Sequence, residues 1–165
     1  MAAITRILLY NFGQNPFMTL KIDPRDSAIL DALRRDARKT VKQLARELEM
    51  PRSTVHDRIQ RMEREKVIRQ YTVVPDWAAV GRPIEAFVFV SYDPHEKVSQ
   101  KDVARKIAGI PGVDEVHIIS GEWDLLLRVR GESIGKIGDL VVDRLRALKG
   151  VGKTITCTNF LTVKE

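Results

Sequence analysis

The chain has a single cysteine, Cys157, in 165 residues. One thiol excludes an internal disulfide and any cysteine-rich zinc site, and it fits a reducing cytosol. Histidine is also scarce: His56, His95 and His117 stand far apart. No H-E-x-x-H or His/Cys cluster occurs, so neither a metal nor any other cofactor is expected. The 10 glycines and 7 prolines are too few for a low-complexity or collagen-like chain. No apolar run approaches the roughly 18 residues of a membrane helix, so no membrane partner is expected. The first 17 residues carry only the short apolar stretch Ile7-Leu8-Leu9-Tyr10, interrupted by Asn11, Gln14 and Asn15. No small-residue cleavage site follows it. Residues 1–17 read as an extension without an address, with Met18 as an alternative translation start, and the expected location is cytoplasmic.

What is present is ordinary globular material. A 44% hydrophobic, 30% charged chain of this length can build one or two domains with real cores. The charge is uneven. Residues 1–74 hold 15 Lys and Arg against 9 Asp and Glu, which is the whole excess of +6; residues 75–165 hold 13 of each. A basic half joined to a neutral half suggests a polyanion-binding module followed by a module of different purpose. A merely solvated cationic surface would leave the same trace.

The apolar spacing predicts three short helices in the first half. Asp23 to Asp36 carries Ile22, Ala28, Ile29, Leu33 and Ala37 at helical period, with an Asp-Pro start. Thr40 to Glu49 opens on a Thr40/Gln43 capping box. A third helix runs from Pro51 to about Glu65 with Val55, Ile59 and Met62 inward. Val67 to Val74 is β-type and reads as a wing or linker strand; Pro75 to Pro83 reads as the hinge, with one helical turn at 77–80. The second half alternates: strand 84–92, helix 99–108, strand 113–120, turn 121–123, strand 124–130, helix 133–149, strand 151–163. In that long helix Ile134, Ile137, Leu140, Val141, Leu145 and Leu148 form the inner side. The fold class is α+β: a three-helix, winged helix-turn-helix domain followed by a ferredoxin-like βαββαβ domain. The expected division is an extension at 1–17, the helix-turn-helix at 18–66, linker strand and hinge at 67–83, and an effector-binding and oligomerisation domain at 84–165.

On the third helix, Ser53, Asp57, Gln60 and Arg64 lie opposite the apolar stripe, flanked by His56 and Arg61. A recognition helix needs such groups on its first turns to reach base edges in the major groove. Arg52, Ser53, Thr54, His56, Asp57, Gln60 and Arg61 are the candidates for bases or nearby phosphates. Arg38, Lys39 and Lys42, around the start of the second helix, are the candidates for the phosphate backbone, which fixes register without reading sequence. Arg58 lies nearer the core stripe, as a phosphate contact or an intramolecular pair. The expected partner is double-stranded DNA.

The ordered residues Ile22-Asp23-Pro24-Arg25-Asp26, Ile29-Leu30, Leu33, Asp36-Ala37-Arg38, Leu44-Ala45, Ser53-Thr54-Val55, Arg58-Ile59, Val67-Ile68 and Tyr71 resemble the N-terminal signature of one family. It is the leucine-responsive/asparagine-regulator (Lrp/AsnC) family of prokaryotic transcription factors. Val116 to Leu127, containing Gly121-Glu122-Trp123-Asp124, resembles the G-x-[YW]-D segment of that family's C-terminal domain. Gly150 to Thr156 resembles its closing strand. The likeness spans about residues 20–163. Two residues depart from it: Pro51 replaces a serine at the start of the third helix, and Lys66 replaces a glycine before Val67-Ile68. The resemblance implies a transcription regulator, homodimeric through its sheet and often assembled further into rings of dimers, with an amino-acid effector bound near the Gly121–Asp124 turn.

The chemistry of that turn is compatible. Gly121 permits close approach, free N–H groups can hold a carboxylate, and Asp124 can hold an ammonium group. On residue chemistry alone, a hairpin whose Asp124 caps its own turn is the simpler reading. Position by position, the resemblance places Gly121 and Asp124 in the effector site, with Ser120, Thr154 and Thr156 as further candidates. Trp123 and Cys157 read as packing or interface groups, and His117 as facing solvent or a partner sheet. Two other functions compete: an architectural DNA-coating protein, and an enzyme on the ferredoxin-like half. For the enzyme, Glu122, Asp124 and His117 offer no recognised catalytic spacing.

Overall fold

The computed structural model of the protein describes residues 21–163, so the extension at 1–17 and the alternative start at Met18 lie outside the described residues. The chain divides into two compact units that meet between Val73 and Val74.

In the first unit, α1 (Pro24–Arg35), α2 (Val41–Glu47) and α3 (Arg52–Arg64) form where caps and apolar spacing place them. Asp23 and Asp26 exchange reciprocal side-chain to backbone bonds at the start of α1, and Pro24 fills the position that needs no N–H. Thr40 and Gln43 make the same reciprocal box on α2. The turn between α2 and α3 closes through Glu49 at φ 51° and a bond from Met50 N to Ala45 O at 3.0 Å. The core is Ile29, Ala32, Leu33, Leu44, Ala45, Val55 and Met62. Ile22 and Ala37 are exposed rather than inward, because the buried face of α1 centres on Ile29 to Leu33.

One turn before Ile29, that face holds a carboxylate instead of an apolar group. Asp26 is fully buried. Its Oδ1 accepts from Arg58 Nη1 at 2.7 Å and its Oδ2 from Arg61 Nη2 at 2.5 Å, while Arg58 also reaches Asp23 Oδ2 at 2.7 Å. Two arginines of α3 are thus tied to the first turn of α1. Asp23 is held below the usual carboxylate range, first by the Asp26 N–H and then by Arg58. Its contribution to stability is therefore full above its unfolded pKa and fades as pH falls through the depressed value.

The expected strand at 67–74 does not form. Val67 and Ile68 instead pack on the helical core, and Ile68 N bonds Met62 O at 3.0 Å. β-type residues make a strand only against a partner strand, and none pairs with them among the described residues. Lys66, where the resembled family has glycine, sits at φ 56°, a left-handed conformation that glycine adopts without strain.

The second unit is a four-stranded antiparallel sheet of order β2-β3-β1-β4, with β1 (Ile84–Tyr92), β2 (Val113–Ile118), β3 (Leu125–Gly131) and β4 (Val151–Thr158). Helix α4 (Gln100–Ala108) crosses from β1 to β2. Helix α5 (Ile134–Asp139) continues as a π-helical segment, Leu140–Leu145, and connects β3 to β4. The long expected helix is therefore shorter and widens in its second half. Ile137, Leu140, Val141 and Leu145 are buried there, but Ile134 is 65% exposed. The last strand stops at Thr158 rather than Val163.

Strand alternation sorts the sheet into two faces. Ala86, Val88, Val90, Leu125, Leu127 and Val129 pack under the helices with Val103 and Ile107. The opposite face has no covering element over its middle among the described residues. Register sets Phe87 between Arg128 and Cys157, and Phe89 between Leu126 and Ile155. Trp123 lies against Phe89 with ring centres 6.2 Å apart. Cys157 is exposed on this face of the single chain, so it is not a core thiol.

Asp26→Ala leaves Arg58 and Arg61 without their shared partner, and it should cost the helical unit about 3 kcal/mol. Both tryptophans, Trp77 and Trp123, belong to the second unit. Denaturation followed by far-ultraviolet circular dichroism should therefore shift, while the tryptophan fluorescence transition stays in place.

Candidate nucleic-acid interface and effector turn

With Arg58 and Arg61 drawn inward, the remaining polar face of α3 is left to solvent. Arg52, Ser53, His56, Asp57 and Gln60 are exposed, and Thr54 is half-buried. His56 Nδ1 and Asp57 Oδ1 are 3.2 Å apart on that face. Pro51 precedes the helix at φ −57°, ψ 142° and offers no side-chain cap. The replacement of serine by Pro51 therefore leaves the first-turn N–H groups of α3 free for an anionic oxygen, beside the exposed Arg52.

Within the expected base-reading set, Arg61 is half-buried and its Nη2 is bound to Asp26, so that nitrogen is engaged in supporting α3. Arg58 resolves the same way, as an intramolecular pair. Among the backbone candidates, Arg38 and Lys42 are exposed, and the Arg38 N–H is fixed by Asp36 Oδ1 at 2.9 Å. Lys39 is engaged: its ammonium is 2.5 Å from Glu47 Oε2, and it holds the Glu47 carboxyl below its ordinary range, with help from Arg35. A phosphate at Lys39 has to compete with Glu47.

In the second unit, the Gly121–Asp124 turn is stitched to the end of β1. Asp124 Oδ2 accepts from Tyr92 N at 2.8 Å, and Asp124 N donates to Val90 O at 3.1 Å. The Asp124 carbonyl accepts from Ile119 N at 2.9 Å and from Gln100 Nε2 at 3.3 Å. Gly121 has φ 126°, and open space where a Cβ would sit. Ser120, Gly121 and Glu122 are exposed. On the far side of β1, Thr154 pairs in register with Val90, and its Oγ1 accepts from Arg146 Nε at 2.9 Å. Asp124 and Thr154 therefore flank the same residue of β1, roughly 10 Å apart across two strand spacings. Thr156 lies two pairs further along β4, opposite Val88.

The chemistry of the turn is thus half committed. One carboxylate oxygen of Asp124 is occupied within the fold, and Gly121 and Glu122 beside it are exposed. Sequence reasoning missed Tyr92, Gln100 and Arg146 as partners of these residues. Only strand register and the crossover of α4 bring them there, and neither leaves a local signal.

Comparison with known proteins gives a consistent result for both halves. Residues 22–69 match a family model described as winged helix-turn-helix DNA-binding, and residues 85–165 match one described as the Lrp/AsnC ligand binding domain. An uncharacterized HTH-type transcriptional regulator of Pyrococcus furiosus is 43% identical over 144 residues, covering 87% of this chain and 96% of that one. The HTH-type transcriptional regulator LysM of Saccharolobus solfataricus is 32% identical over 130 residues, covering 79% and 87%. Among solved structures, an AsnC family transcriptional regulator from Agrobacterium tumefaciens superposes with a TM-score of 0.77 at 26% identity, covering 87% and 93%. A transcriptional regulator from Neisseria meningitidis, solved as a complex with L-Met, shares the fold with a TM-score of 0.80 at 24% identity, covering 87% and 92%.

Asp124→Ala removes the acceptor of Tyr92 N and should lower the stability of the second unit by about 1–2 kcal/mol. Asp124→Asn keeps an acceptor oxygen and should stay within about 0.5 kcal/mol of the native protein. Urea unfolding followed by tryptophan fluorescence measures both.

Proposed function

The chain belongs to the Lrp/AsnC family of helix-turn-helix transcriptional regulators, a family of DNA-binding proteins with a ligand-binding domain and not of enzymes, and from that premise we propose that it is a cytoplasmic, dimeric, sequence-specific regulator gated by an amino acid. The observation that carries the DNA-reading part is the sorting of α3. Its apolar residues and two of its arginines face the core, while Arg52, Ser53, His56, Asp57 and Gln60 face outward. Gln60 has two donors and an acceptor surface suited to a bidentate contact with adenine. Arg38 and Lys42 supply phosphate contacts, and Arg52 works with the uncapped start of α3.

The open sheet face supports dimerisation. Phe87, Phe89, Leu126 and Ile155 make an apolar band on a face that, among the described residues, no helix of the second unit covers, and a second copy of the same face is the partner that closes it. Cys157 then lies in the interface. A twofold dimer presents two α3 helices, so its DNA site is an inverted repeat with half-sites about one helical turn, or a multiple of it, apart. The effector reading assigns Gly121 and Asp124, with Ser120, Thr154 and Thr156, to an amino acid. The N–H groups of the exposed Gly121 and Glu122 suit its carboxylate, and the free oxygen of Asp124 suits its ammonium. That the related Neisseria fold was solved with L-Met supports an amino acid as the ligand class.

Selection of bound DNA from a random pool, with and without each amino acid, tests this function directly. A defined inverted repeat is expected, and recovery of unrelated sequences would favour the architectural alternative. On the selected site, Gln60→Ala should cost about 1–3 kcal/mol and relax preference at one base position. Arg38→Ala should weaken specific and random DNA alike and flatten the salt dependence.

Phe89→Asp places a charge in the middle of the open face. It should turn a dimer into a monomer at micromolar concentration, as read by light scattering.

A further inference from the structure

Tyr71 and Trp77 are held at opposite ends of a short stretch of chain that crosses the boundary between the units. Tyr71 donates its hydroxyl to Glu63 Oε1 at 2.8 Å, near the end of α3. Burial and that carboxylate push the hydroxyl up to about 12, so it remains a donor throughout the physiological range. On the other side, Asp76 caps a turn by accepting from Ala78 N and Ala79 N at 3.0 and 3.1 Å. The turn closes with Arg82 N to Trp77 O at 2.8 Å. Trp77 packs under two guanidinium groups, Arg130 at 4.3 Å and Arg82 at 5.4 Å from the ring centre. Arg130 is buried and paired with Glu85 and Asp114, and Arg82 also reaches Asp114 at 3.2 Å. The segment expected to be a hinge therefore has its second half fastened to the sheet.

Only Thr72, Val73, Val74 and Pro75 remain between Tyr71 and the turn that Asp76 caps. Among the described residues, none of the four makes a hydrogen bond outside the segment. Three are β-branched, and Pro75 both fixes its own φ and confines Val74 to extended conformations. Four such residues span at most about 14 Å and bend little.

We propose that Thr72–Pro75 is a stiff strap clamped by Tyr71 and Trp77, and that its length selects the half-site spacing the regulator accepts. The proposal rests on the reading of the chain as a dimeric DNA-binding regulator. Binding of the second helix-turn-helix is intramolecular once the first is bound, and its effective concentration collapses where a short strap cannot reach. A flexible linker over the whole of 67–83 would tolerate many spacings; a four-residue strap does not.

The test uses the full-length protein and selected half-sites whose centre-to-centre distance is stepped by single base pairs through one helical turn. The native protein should prefer its best spacing over one half a turn away by at least about tenfold. Trp77→Ala, and separately a Gly-Ser-Gly-Ser insertion between Val73 and Val74, should reduce that ratio below about threefold without changing affinity for a single half-site. Trp77→Phe keeps an aromatic face and should retain the native ratio. Hydrogen exchange reports the clamp itself. The Val80, Gly81 and Arg82 amides should be protected in the native protein and in Trp77→Phe, and exposed in Trp77→Ala. An unchanged ratio in the insertion variant overturns the proposal, since the insertion disturbs neither unit. So does an unchanged ratio in Trp77→Ala with a released turn, or a turn that stays protected without Trp77. If random selection yields no half-site, the regulator reading fails and the strap falls with it. If half-sites are found and spacing selectivity ignores the strap, only the strap fails.

Discussion

The buried carboxylate of Asp26 is the contact on which the DNA-binding half depends. A three-helix unit this small has few apolar residues to fix the rotation of one helix about its axis, and apolar contacts alone tolerate some slippage. Asp26 adds direction. Its two oxygens take one donor each from Arg58 and Arg61, three residues apart on α3. Those two bonds define which side of α3 points inward, and so which residues point out. The same carboxylate closes the reciprocal cap at the start of α1 through Asp23 N. The helix start, the crossing of α1 with α3 and the exposure of Gln60 thus share one group. A buried ion pair gives modest net stability after desolvation, but it penalises every arrangement that leaves it unpaired.

The second unit obtains its constraint from register. Direct pairing of Val88 with Leu127 and Thr156, and of Val90 with Leu125 and Thr154, commits one face of β1, β3 and β4 to the helices. A slip of one residue would turn Phe87 and Phe89 under the helices and expose the valines. The open face follows from the same rule and is not a packing defect. At its Glu85–Arg130 end, the face is occupied by Trp77 and the buried ion pairs around Arg130, so the apolar band lies in the central rows. The turn at Asp124 is tied into this register by bonding to both Tyr92 and Val90, so a ligand there would meet the end of β1 through existing bonds.

Most of the fold was legible because its signals were local. Caps at Asp23 and Thr40 mark helix starts, and short runs of apolar residues mark β1 and β3. The errors share a different cause. The 67–74 segment has strand composition without a strand neighbour, and composition cannot show pairing. The 133–149 segment has a continuous apolar stripe, and the π-helical widening at Leu140–Leu145 leaves that stripe nearly intact. Ile22 and Ala37 fit the period of α1 but lie where no other element packs. In the candidate sites, exposure of the polar face of α3 was legible from the helical wheel. The capture of Arg61 by Asp26 was not, because it joins residues 35 apart in sequence. Lys66 shows the same limit from the other side: its left-handed conformation is set by the return of the chain onto Met62, whichever residue stands there.

Charge counting nevertheless gave a sound answer, for a reason the structure makes plain. Arg58 and Arg61 pair with Asp23 and Asp26, and Arg35 and Lys39 share Glu47. Together these contacts tie up four cations and three carboxylates, so they leave most of the +6 excess in residues 1–74 untouched. The excess must then reside on cations outside these pairs. Arg38, Lys42 and Arg52 are exposed around the start of α2 and the start of α3. Counterion release on DNA scales with the number of phosphates neutralised, and paired arginines neutralise few. Internal pairing therefore does more than stabilise the helices. It leaves the exposed cations outside these pairs, Arg38, Lys42 and Arg52 among them, to meet a polyanion.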